Sequence, residues 1–500
     1  MTREIVLYKI YNAMIGRSSE SIWLKPIKKL TLLIPKWNFG KPTLIKDENL
    51  VYNLVNNVNS VGYKVNKDLL EFIGTYGLEY GLVINSAYIH PLSTKPKLNK
   101  AEYAELTSFL SQKDLQESIL MLAELYSTKH EFFIPTNLDF RGRLYCVSEY
   151  LNYQSTELAK GLLLFSKGEK LYKSDKTSIN YLKAYAANCY GNKLDKMSWK
   201  NRCEWVDENL DNIINFKNGE LIKKAEKKLL FTAFCFEYTR FLESLNNTSA
   251  YFETHLPIQL DATCNGYQHL SLLSLDHDLA KELNLTKSSW TDKPKDFYDY
   301  TAVKLINYFK DRLNNSNLKE EEMEAYTRFS NFTIARKIVK KCIMTIPYNV
   351  SFNTMVDYLK ENFDPCGDDW KNQTYYYKED GSLILKSTDF NYLAKGIQIV
   401  LFNDRFKLKK LLVYLNQVVD VLCGLGLTVS WGTPNSGVLI EQSYLHTKEE
   451  RLKPFAYTKK TFKVKVVDET KTNIFSFNIF VMLVKWLRRS ITTSSFRSTI

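Results

Sequence analysis

The sequence lacks the residue spacings that mark disulfide-stapled and zinc-binding proteins. Its 500 residues contain eight cysteines and six histidines, but no CxxC pair and no HExxH or HxxxH pattern. The cysteines stand far apart, at positions 146, 189, 203, 235, 264, 342, 366 and 423. In a chain of this size, that pattern argues against a disulfide scaffold, a zinc ribbon or a zinc enzyme, and it predicts a reducing compartment.

Long apolar segments are missing as well. The longest apolar stretch near an end, Ile474–Val484, is interrupted by polar residues and is too short to span a bilayer. Met1–Leu30 has no continuous hydrophobic region and no small-residue cleavage site. It also carries Glu4 and Glu20, which matrix-targeting presequences avoid. We therefore expect no membrane partner, and either a protein that works where it is made or a targeting signal of another kind.

Positive charge is what the sequence has in excess. Lys and Arg number 68 against 55 Asp and Glu, which gives a net charge of +13. Hydrophobic residues make up 45% and charged residues 25%, values that exclude disordered, collagen-like and mucin-like chains. The charge favours a polyanionic partner, nucleic acid before an anionic membrane surface, although a merely soluble basic protein fits it equally well. The length predicts two to four domains or subdomains.

Periodicity predicts a helical first part followed by mixed structure. Apolar residues at helical spacing predict helices in Leu50–Val58, Lys67–Tyr80 and Leu106–His130. The pattern changes at residue 131 to short strands and turns. Pro257–Asp261 is predicted as a strand that leads, through a glycine turn, into an apolar helix at about Tyr267–Leu275.

The later part of the chain also mixes both periods. Residues 319–346 predict a charged helix that continues into a basic amphipathic one. Leu427–Trp431 and Val438–Ile440 flank a Thr-Pro-Asn-Ser-Gly turn, which predicts a hairpin. Alternation over Thr461–Val467 predicts a further strand.

Asp261 is the first candidate site residue. It ends the predicted strand and precedes a helix, in the segment LDATCNGYQH. A carboxylate fixed at a strand end suits Mg²⁺, because this hard cation prefers oxygen ligands and takes few from the protein. An aspartate just before a helix is also a common N-cap, so the residues alone leave both roles open.

The second candidate site is a face of the basic helix. Arg336, Lys340, Met344 and Tyr348 are four apart, and each step of four rotates a helical position by only about 40°, so they share one broad face. The two cations suit phosphate groups and the aromatic ring suits a sugar or base, which favours a nucleoside triphosphate. A solvated basic face is the alternative. Pro347 should end or kink the helix.

A third candidate is an arginine pair around a turn glycine. Arg141 and Arg143 flank Gly142, and Lys160 and Lys167 follow. Guanidinium groups suit phosphate backbones, but a surface turn explains so short a motif equally well.

Four motifs occur in a fixed order along the chain. They are LDFRGRLYCVSEYLNYQSTELAKGLLLFSKG from Leu138, FCFEY at 234–238, QLDATCNGYQHLS from Gln259 and RKIVKKCIMTIPYN from Arg336. Together they closely resemble the single-subunit, phage-type RNA polymerases of bacteriophages and mitochondria, above all the copies carried by fungal mitochondrial linear plasmids or mitochondrial genomes. The resemblance is strong over residues 131–350 and thinner over 390–445.

The resemblance implies a mixed, helix-rich α/β fold of the right-hand polymerase type. Its implied parts are a helical, thumb-like N-terminal region (1–130), a palm with motif A (131–275), fingers with motif B (276–410), partial palm-associated strands (411–468) and an atypical tail (469–500).

The resemblance also implies roles for the candidate residues. Asp261 would be the motif A carboxylate that binds two catalytic Mg²⁺ ions. Lys340 would be the catalytic motif B lysine that faces the triphosphate, with Arg336 assisting it. Tyr348 and Tyr298 would both lie at the nucleotide site.

Further implied contacts concern the template and the sugar. Arg141, Arg143 and Lys160 would contact the template or the RNA–DNA hybrid. DNA polymerases of this fold carry a glutamate five residues after the motif A aspartate, where it crowds the 2′ carbon. Here Gly266 has no side chain, so a ribose 2′-hydroxyl has room and ribonucleotides are the expected substrate.

The sequence departs from the family pattern in motif B and motif C. Pro347 and Asn349 replace the small residue and the glycine that usually flank the motif B tyrosine. Motif C should supply a second aspartate after a histidine, and its usual separation from motif B places it beyond residue 500. We expect the tail at 469–500 to reflect a truncated or frameshifted reading frame.

Two aspartate motifs resemble motif C only superficially. His277-Asp278 precedes motif B and so stands in the wrong order. Gly367-Asp368-Asp369 resembles the Gly-Asp-Asp of viral RNA-dependent RNA polymerases, but its flanks predict a loop rather than hairpin strands.

The resemblance thus implies a DNA-directed RNA polymerase that adds ribonucleotides to an RNA 3′ end by two-metal phosphoryl transfer. Its partners would be a DNA template, the RNA product, ribonucleoside triphosphates and an accessory transcription factor. It would act as a monomer in the mitochondrion. The alternatives are an RNA-dependent RNA polymerase that uses Asp368 and Asp369, and a defective remnant that only binds nucleic acid.

Overall fold

The computed structural model describes ten stretches of the chain. They are residues 48–138, 143–246, 248–314, 318–366, 373–403, 406–425, 429–432, 439–442, 445–452 and 462–472. The protein is a mixed α/β molecule rich in helix, and it divides into two compact units. The first unit runs to Leu260 and also includes Ser289–Lys293. The second comprises Asp261–Ser288 and the residues from Pro294 onward.

Helices and short antiparallel strands alternate in the first unit. Its helices in chain order are α1 (Glu48–Asn59), α2 (Lys67–Tyr76), α3 (Lys100–Ser127), α4 (Glu157–Gly161), α5 (Lys176–Tyr190), α6 (Trp199–Glu208), α7 (Leu210–Ile214), α8 (Glu220–Lys224) and α9 (Lys228–Ser244). Its strands are β1 (Gly62–Val65), β2 (Phe132–Phe133), β3 (Thr136–Leu138), β4 (Leu144–Cys146), β5 (Leu163–Phe165), β6 (Glu169–Tyr172) and β7 (Tyr251–Thr254). They form the antiparallel sheet β2-β1-β5 and the pairs β3-β4 and β6-β7.

Capping and apolar burial explain where the early helices lie. Asn66 caps α2, since its Oδ1 accepts from the Leu69 amide at 3.2 Å. Asn99 and Glu102 form a capping box that begins α3. The apolar faces of α2, α3 and α9 pack into one buried core, which includes Phe231 and Phe234.

The second unit is built around a group of longer helices. They are α10 (Asn265–Leu273), α11 (His277–Glu282), α12 (Phe297–Leu313), α13 (Glu320–Ser330), α14 (Arg336–Thr345), α15 (Phe352–Lys360), α16 (Asp389–Asn403) and α17 (Phe406–Gly424). Its strands are β8 (Phe363–Cys366), β9 (Thr374–Tyr377), β10 (Ile384–Lys386), β11 (Val429–Gly432), β12 (Leu439–Gln442), β13 (Leu445–Leu452) and β14 (Phe462–Thr472). Strands β8, β9 and β10 form an antiparallel sheet, while β11-β12 and β13-β14 are antiparallel pairs.

An aromatic core and a buried ion pair hold these helices together. Phe297, Phe309 and Phe390 are fully buried in the same cluster. Arg328 on α13 binds the buried Asp389 at the start of α16 through two nitrogens, each 2.9 Å from a carboxylate oxygen. The bidentate geometry fixes one helix against the other.

Most of the predicted elements are confirmed. Helices cover the predicted helical segments, although α2 ends at Tyr76 and α3 at Ser127. The predicted hairpin is the pair β11-β12, and the predicted last strand is part of β14. Helix α14 ends at Thr345, and a 3₁₀ turn at Ile346–Tyr348 contains Pro347, as expected from its missing amide hydrogen.

The strand predicted at Pro257–Asp261 is wrong. The last strand before Asp261 is β7, and residues 255–262 follow it without ladder partners among the described residues. Leu260 is 86% exposed, so the apolar alternation of this segment does not reflect burial here. A strand needs a neighbour to accept its backbone hydrogen bonds, and the alternation alone supplies none.

Two further predictions need correction. Residues 319–346 form two helices, α13 and α14, separated by residues 331–335, rather than one continuous helix. The flanks of Gly367-Asp368-Asp369 were predicted not to be hairpin strands, yet β8 and β9 pair antiparallel on either side of it. Pro365 is tolerated because β8 is an edge strand of its sheet. Residues 367–372 themselves lie outside the described ranges.

Within the described ranges, no helix has both the length and the apolar content needed to cross a bilayer.

Candidate active site

The second unit contains six of the predicted site residues. They are Asp261, Gly266, Tyr298, Arg336, Lys340 and Tyr348. Asp261 lies in the extended segment before α10, and Gly266 lies in the first turn of α10. The other four belong to the start of α12, to α14 and to the 3₁₀ turn after α14.

Asp296 connects the start of α12 to the start of α14. Its Oδ1 caps α12 by accepting from the amides of Tyr298 at 3.0 Å and Asp299 at 3.3 Å. Its Oδ2 accepts from Arg336 Nε at 2.6 Å. One carboxylate therefore both begins one helix and orients the first cation of the other.

The ring of Tyr298 supports both predicted triphosphate cations. Tyr298 is only 5% exposed. Arg336 Cζ lies 5.0 Å from the ring centroid, and Lys340 Nζ lies 5.9 Å from it. Both distances lie within the range of a cation–π contact, so one ring brings the two positive groups together.

The tyrosine also interacts with a thiol. The Tyr298 hydroxyl and the Cys264 thiol interact through their side chains. Burial, then the interaction with Cys264, raises the pKa of Tyr298. Burial raises the pKa of Cys264 to about 11. Both groups therefore stay neutral near pH 7 and act as a structural link between α12 and the segment after Asp261.

Lys340 differs from the other cations of α14. Three of them pair with carboxylates of other elements: Arg336 with Asp296 at 2.6 Å, Lys337 with Glu379 at 3.1 Å and Lys341 with Glu361 at 2.5 Å. Lys340 has no carboxylate partner in the part of the chain that the structure describes. It is thus the α14 cation best placed to accept an external anion.

Asp261 does not cap the helix that follows it. The N-cap position of α10 is Cys264, which makes no side-chain capping bond. The Asp261 carboxylate is exposed and accepts only from the adjacent Ala262 amide, at 2.8 Å, among the described residues. The alternative of an N-cap aspartate is therefore excluded for α10, and the carboxylate has lone pairs available for a metal ion.

The surroundings of Asp261 fit a partial metal site. No group of three or more His, Cys, Asp or Glu side chains in the described residues is arranged so that it could hold a metal ion. Mg²⁺ commonly uses one or two carboxylates and completes its shell with water and substrate phosphates. Asp261 suits one such carboxylate, because its side chain is exposed and accepts only one hydrogen bond among the described residues.

Gly266 packs closely against the proline that follows α14. A Cβ built on Gly266 would lie 3.3 Å from Pro347 Cγ and 3.4 Å from Pro347 Cβ. Beside it, the Tyr267 hydroxyl donates to the carbonyl of Ile343 at 3.0 Å. These contacts join the start of α10 to the end of α14, so the space next to Gly266 is bounded by the protein itself.

Tyr348 directly follows Pro347, while the predicted template-binding residues belong to the first part of the chain. Tyr348 ends the 3₁₀ turn, and Asn349 follows it with a left-handed φ of 58°. Arg143 precedes β4, and Lys160 lies in the last turn of α4, both in the first unit. Arg141 lies outside the described residues.

The sequence did not single out two residues that organise this site. Asp296 was not considered, and Cys264 was noted only as one of the scattered cysteines and as part of the LDATCNGYQH segment. Asp296 could have been identified as a helix N-cap, because an acidic side chain precedes the helical pattern of α12. Its bond to Arg336 spans 40 positions, and no local pattern indicates it.

Comparison with known proteins decides the family. A model of the DNA-dependent RNA polymerase family matches residues 172–475, which is more than half of the chain. The chain belongs to this family. Among its polymerase relatives is a probable DNA-directed RNA polymerase of Podospora anserina, 50% identical over 442 residues, which are 88% of this chain and 46% of the relative.

Two further polymerases are also similar to this chain. A probable DNA-directed RNA polymerase of Neurospora crassa is 34% identical over 420 residues, 79% of this chain and 44% of the relative. The mitochondrial DNA-directed RNA polymerase of Neurospora crassa is 34% identical over 253 residues, 50% of this chain and 16% of that protein. The chain spans a little less than half the length of the two probable polymerases.

The family assignment confirms the predicted resemblance and the polymerase fold class. The division into thumb, palm and fingers and the roles of single residues stay predictions.

Proposed function

We propose that this chain provides the nucleotide-binding part of a DNA-directed RNA polymerase, which adds ribonucleotides to an RNA 3′ end under the direction of a DNA template. The observation that carries the proposal is the pair of cations on the Tyr298 ring. Arg336 is oriented by a carboxylate, while Lys340 has no carboxylate partner within the described residues. Family membership supplies the reaction class.

The proposed roles follow from charge and position. Lys340 and Arg336 bind the triphosphate and take up the negative charge that shifts toward the leaving pyrophosphate. Tyr348 lies near the sugar or base, and Gly266 favours ribose by presenting no side chain. Asp261 would hold magnesium, which as a Lewis acid stabilises the charge on the phosphoryl group.

The wider function is proposed on the family and the charge. The +13 net charge suits a DNA template and an RNA product, with Arg141, Arg143 and Lys160 on their phosphates. Several relatives are named mitochondrial, which supports that compartment. We further propose that the gene lies on a plasmid or in a mitochondrial genome. The protein would act as a monomer together with an accessory transcription factor.

Equilibrium binding tests the nucleotide site without requiring a complete catalytic cycle. Isothermal titration calorimetry of the purified chain with GTP and Mg²⁺ should show binding that Lys340→Gln weakens about tenfold, the usual effect of losing a charge-assisted phosphate contact. Lys337→Gln is the matched control, because Lys337 lies on the same helix but pairs with Glu379. Equal affinities for all three proteins would refute the proposed role of Lys340.

Template choice separates the proposed activity from its alternatives. We expect any extension of an RNA primer with radiolabelled ribonucleotides to require a DNA template. Extension on an RNA template only, lost in Asp368→Asn, would instead identify an RNA-dependent enzyme. Nucleic-acid binding on filters without extension on either template would identify a remnant that only binds.

A further inference from the structure

We propose that Asp296 is a positioning residue for triphosphate binding, which it supports by holding Arg336 in place beside Lys340. The inference rests on the proposed function of this site. Asp296 does not itself contact the nucleotide in this proposal. It acts through the guanidinium group of Arg336.

The bond to Asp296 leaves the two terminal nitrogens of Arg336 available for a ligand. Asp296 Oδ2 accepts from Nε, at 2.6 Å. The two terminal nitrogens of Arg336 have no partner among the described residues, and the group lies over the Tyr298 ring. A guanidinium held at Nε can still direct its terminal N–H groups at phosphate oxygens.

The ion pair is well suited to this task. The Arg336 side chain is 34% exposed and that of Asp296 is 20% exposed, so water screens this pair less than the exposed pairs of Lys337 and Lys341. Asp296 is also fixed at the start of α12 by its two capping bonds. A rigid acceptor reduces the rotamer freedom that Arg336 must lose when a ligand binds.

The sign of the effect distinguishes positioning from simple electrostatics. Asp296 is a negative charge beside two cations, so a purely electrostatic view predicts that neutralising it strengthens binding of a polyanion. Positioning predicts the opposite, because a released Arg336 must be ordered again by the ligand.

Asp296→Asn separates the capping of α12 from the binding of Arg336. Asparagine is as good an N-cap as aspartate, so α12 should keep its start. Its neutral amide cannot replace the charged acceptor for Arg336. We expect the thermal unfolding midpoint to stay close to that of the wild type, and GTP affinity in calorimetry with Mg²⁺ to fall about fivefold.

A double-mutant cycle shows whether the effect passes through Arg336. Arg336→Gln should weaken GTP binding, and Asp296→Asn should cause no further loss in that background. Asp299→Asn is the matched control: Asp299 is exposed in the same first turn and has no ion-pair partner in the described ranges. It should leave GTP affinity unchanged or slightly higher.

The outcomes distinguish this inference from the function on which it rests. Unchanged or stronger GTP binding by Asp296→Asn, or a full additional loss in the Arg336→Gln background, would overturn the positioning role. If Lys340→Gln still weakens binding in that case, the proposed function survives. If the wild type does not bind GTP, both fail.

Discussion

Gly266 and Pro347 are in close contact, so the size of the residue at one position limits the size of the residue at the other. The glycine is buried at the start of α10, and the proline ring fills the space that a side chain would need. The prediction of ribonucleotide preference assumed that the space beside Gly266 is open to the 2′-hydroxyl of the sugar. The structure bounds that space with Pro347.

We predict that Gly266→Ala changes the free energy of unfolding by less than about 1 kcal/mol, because Pro347 must move by only a few tenths of an ångström while the helix gains from alanine.

Gly266→Glu should lower the ratio of GTP to dGTP affinity measured by calorimetry. Gly266→Gln, of the same size but neutral, controls for charge. An unchanged ratio in both larger variants, with the fold intact, would remove the steric argument for ribose selection.

We predict that Asp261→Asn abolishes Mg²⁺-dependent nucleotidyl transfer and leaves the unfolding midpoint unchanged. The carboxylate is exposed and supports only its own neighbour's amide, so its charge matters to a metal ion and not to folding. The measurement is primer extension at several Mg²⁺ concentrations, with Asp278→Asn as control because Asp278 is exposed at the start of α11. Persistent activity in Asp261→Asn would show that Asp261 is not the metal ligand.

Helix α9 shows how a motif can serve the fold rather than the chemistry. It contains Glu237, from the FCFEY motif, whose side chain is only 4% exposed. Glu237 Oε1 accepts from Thr254 Oγ1 at 2.7 Å and from the His255 amide at 3.0 Å, while Oε2 accepts from Arg240 at 3.0 Å. The carboxylate thereby fixes the end of β7, where the chain begins its extended path toward Asp261.

We predict that Glu237→Ala lowers the free energy of unfolding of the first unit by about 2 kcal/mol, since it removes a buried carboxylate that accepts from Thr254, His255 and Arg240. Hydrogen exchange of the α9 amides in increasing urea measures this. Glu243→Ala, at an exposed position of the same helix, should cost less than about 0.5 kcal/mol. Similar losses in both variants would contradict the anchoring role of Glu237.

Elements with strong local signals could be predicted from the sequence, and those that depend on distant partners could not. The helical spacing of apolar residues in α2 depends on a few adjacent residues, and so does the end of α14 before Pro347. The alternation at Pro257–Asp261 wrongly predicted a strand, because pairing requires a second segment. Spacing placed Arg336 and Lys340 on one face, but Asp296, Glu361 and Glu379 decide which cations of that helix are neutralised.

At the scale of the whole molecule, the net charge of +13 determines how nucleic acid should bind. We predict that affinity for an RNA–DNA hybrid falls steeply with salt, because each phosphate contact releases counterions. Lys160→Gln should reduce the slope of log K against log salt concentration by about one, as expected for one lost contact. Lys196→Gln is the control, since Lys196 already pairs with Asp195 at 2.9 Å. A slope that is flat in the wild type would reject the phosphate interface.

The short segment Ser289–Lys293 gives the chain an unusual connectivity. It belongs to the first unit, although the residues on both sides of it belong to the second. Trp290 stacks on Trp199 with ring centroids 5.4 Å apart, and the Lys200 amide donates to the Trp290 carbonyl at 3.2 Å. The polypeptide therefore passes between the units after Leu260, after Ser288 and after Lys293.

This connectivity makes the protein hard to separate into pieces. A protease site engineered after Lys287 would give one fragment that supplies Tyr267 and Leu270 to the second core, and another that supplies Trp290 to the first unit. Each unit would then be assembled from both fragments. We predict two bands on a denaturing gel but a single peak in native size-exclusion chromatography, and separate native peaks would disprove it. The two units are interlaced along the sequence, so a nicked molecule should behave as a non-covalent heterodimer made from one gene.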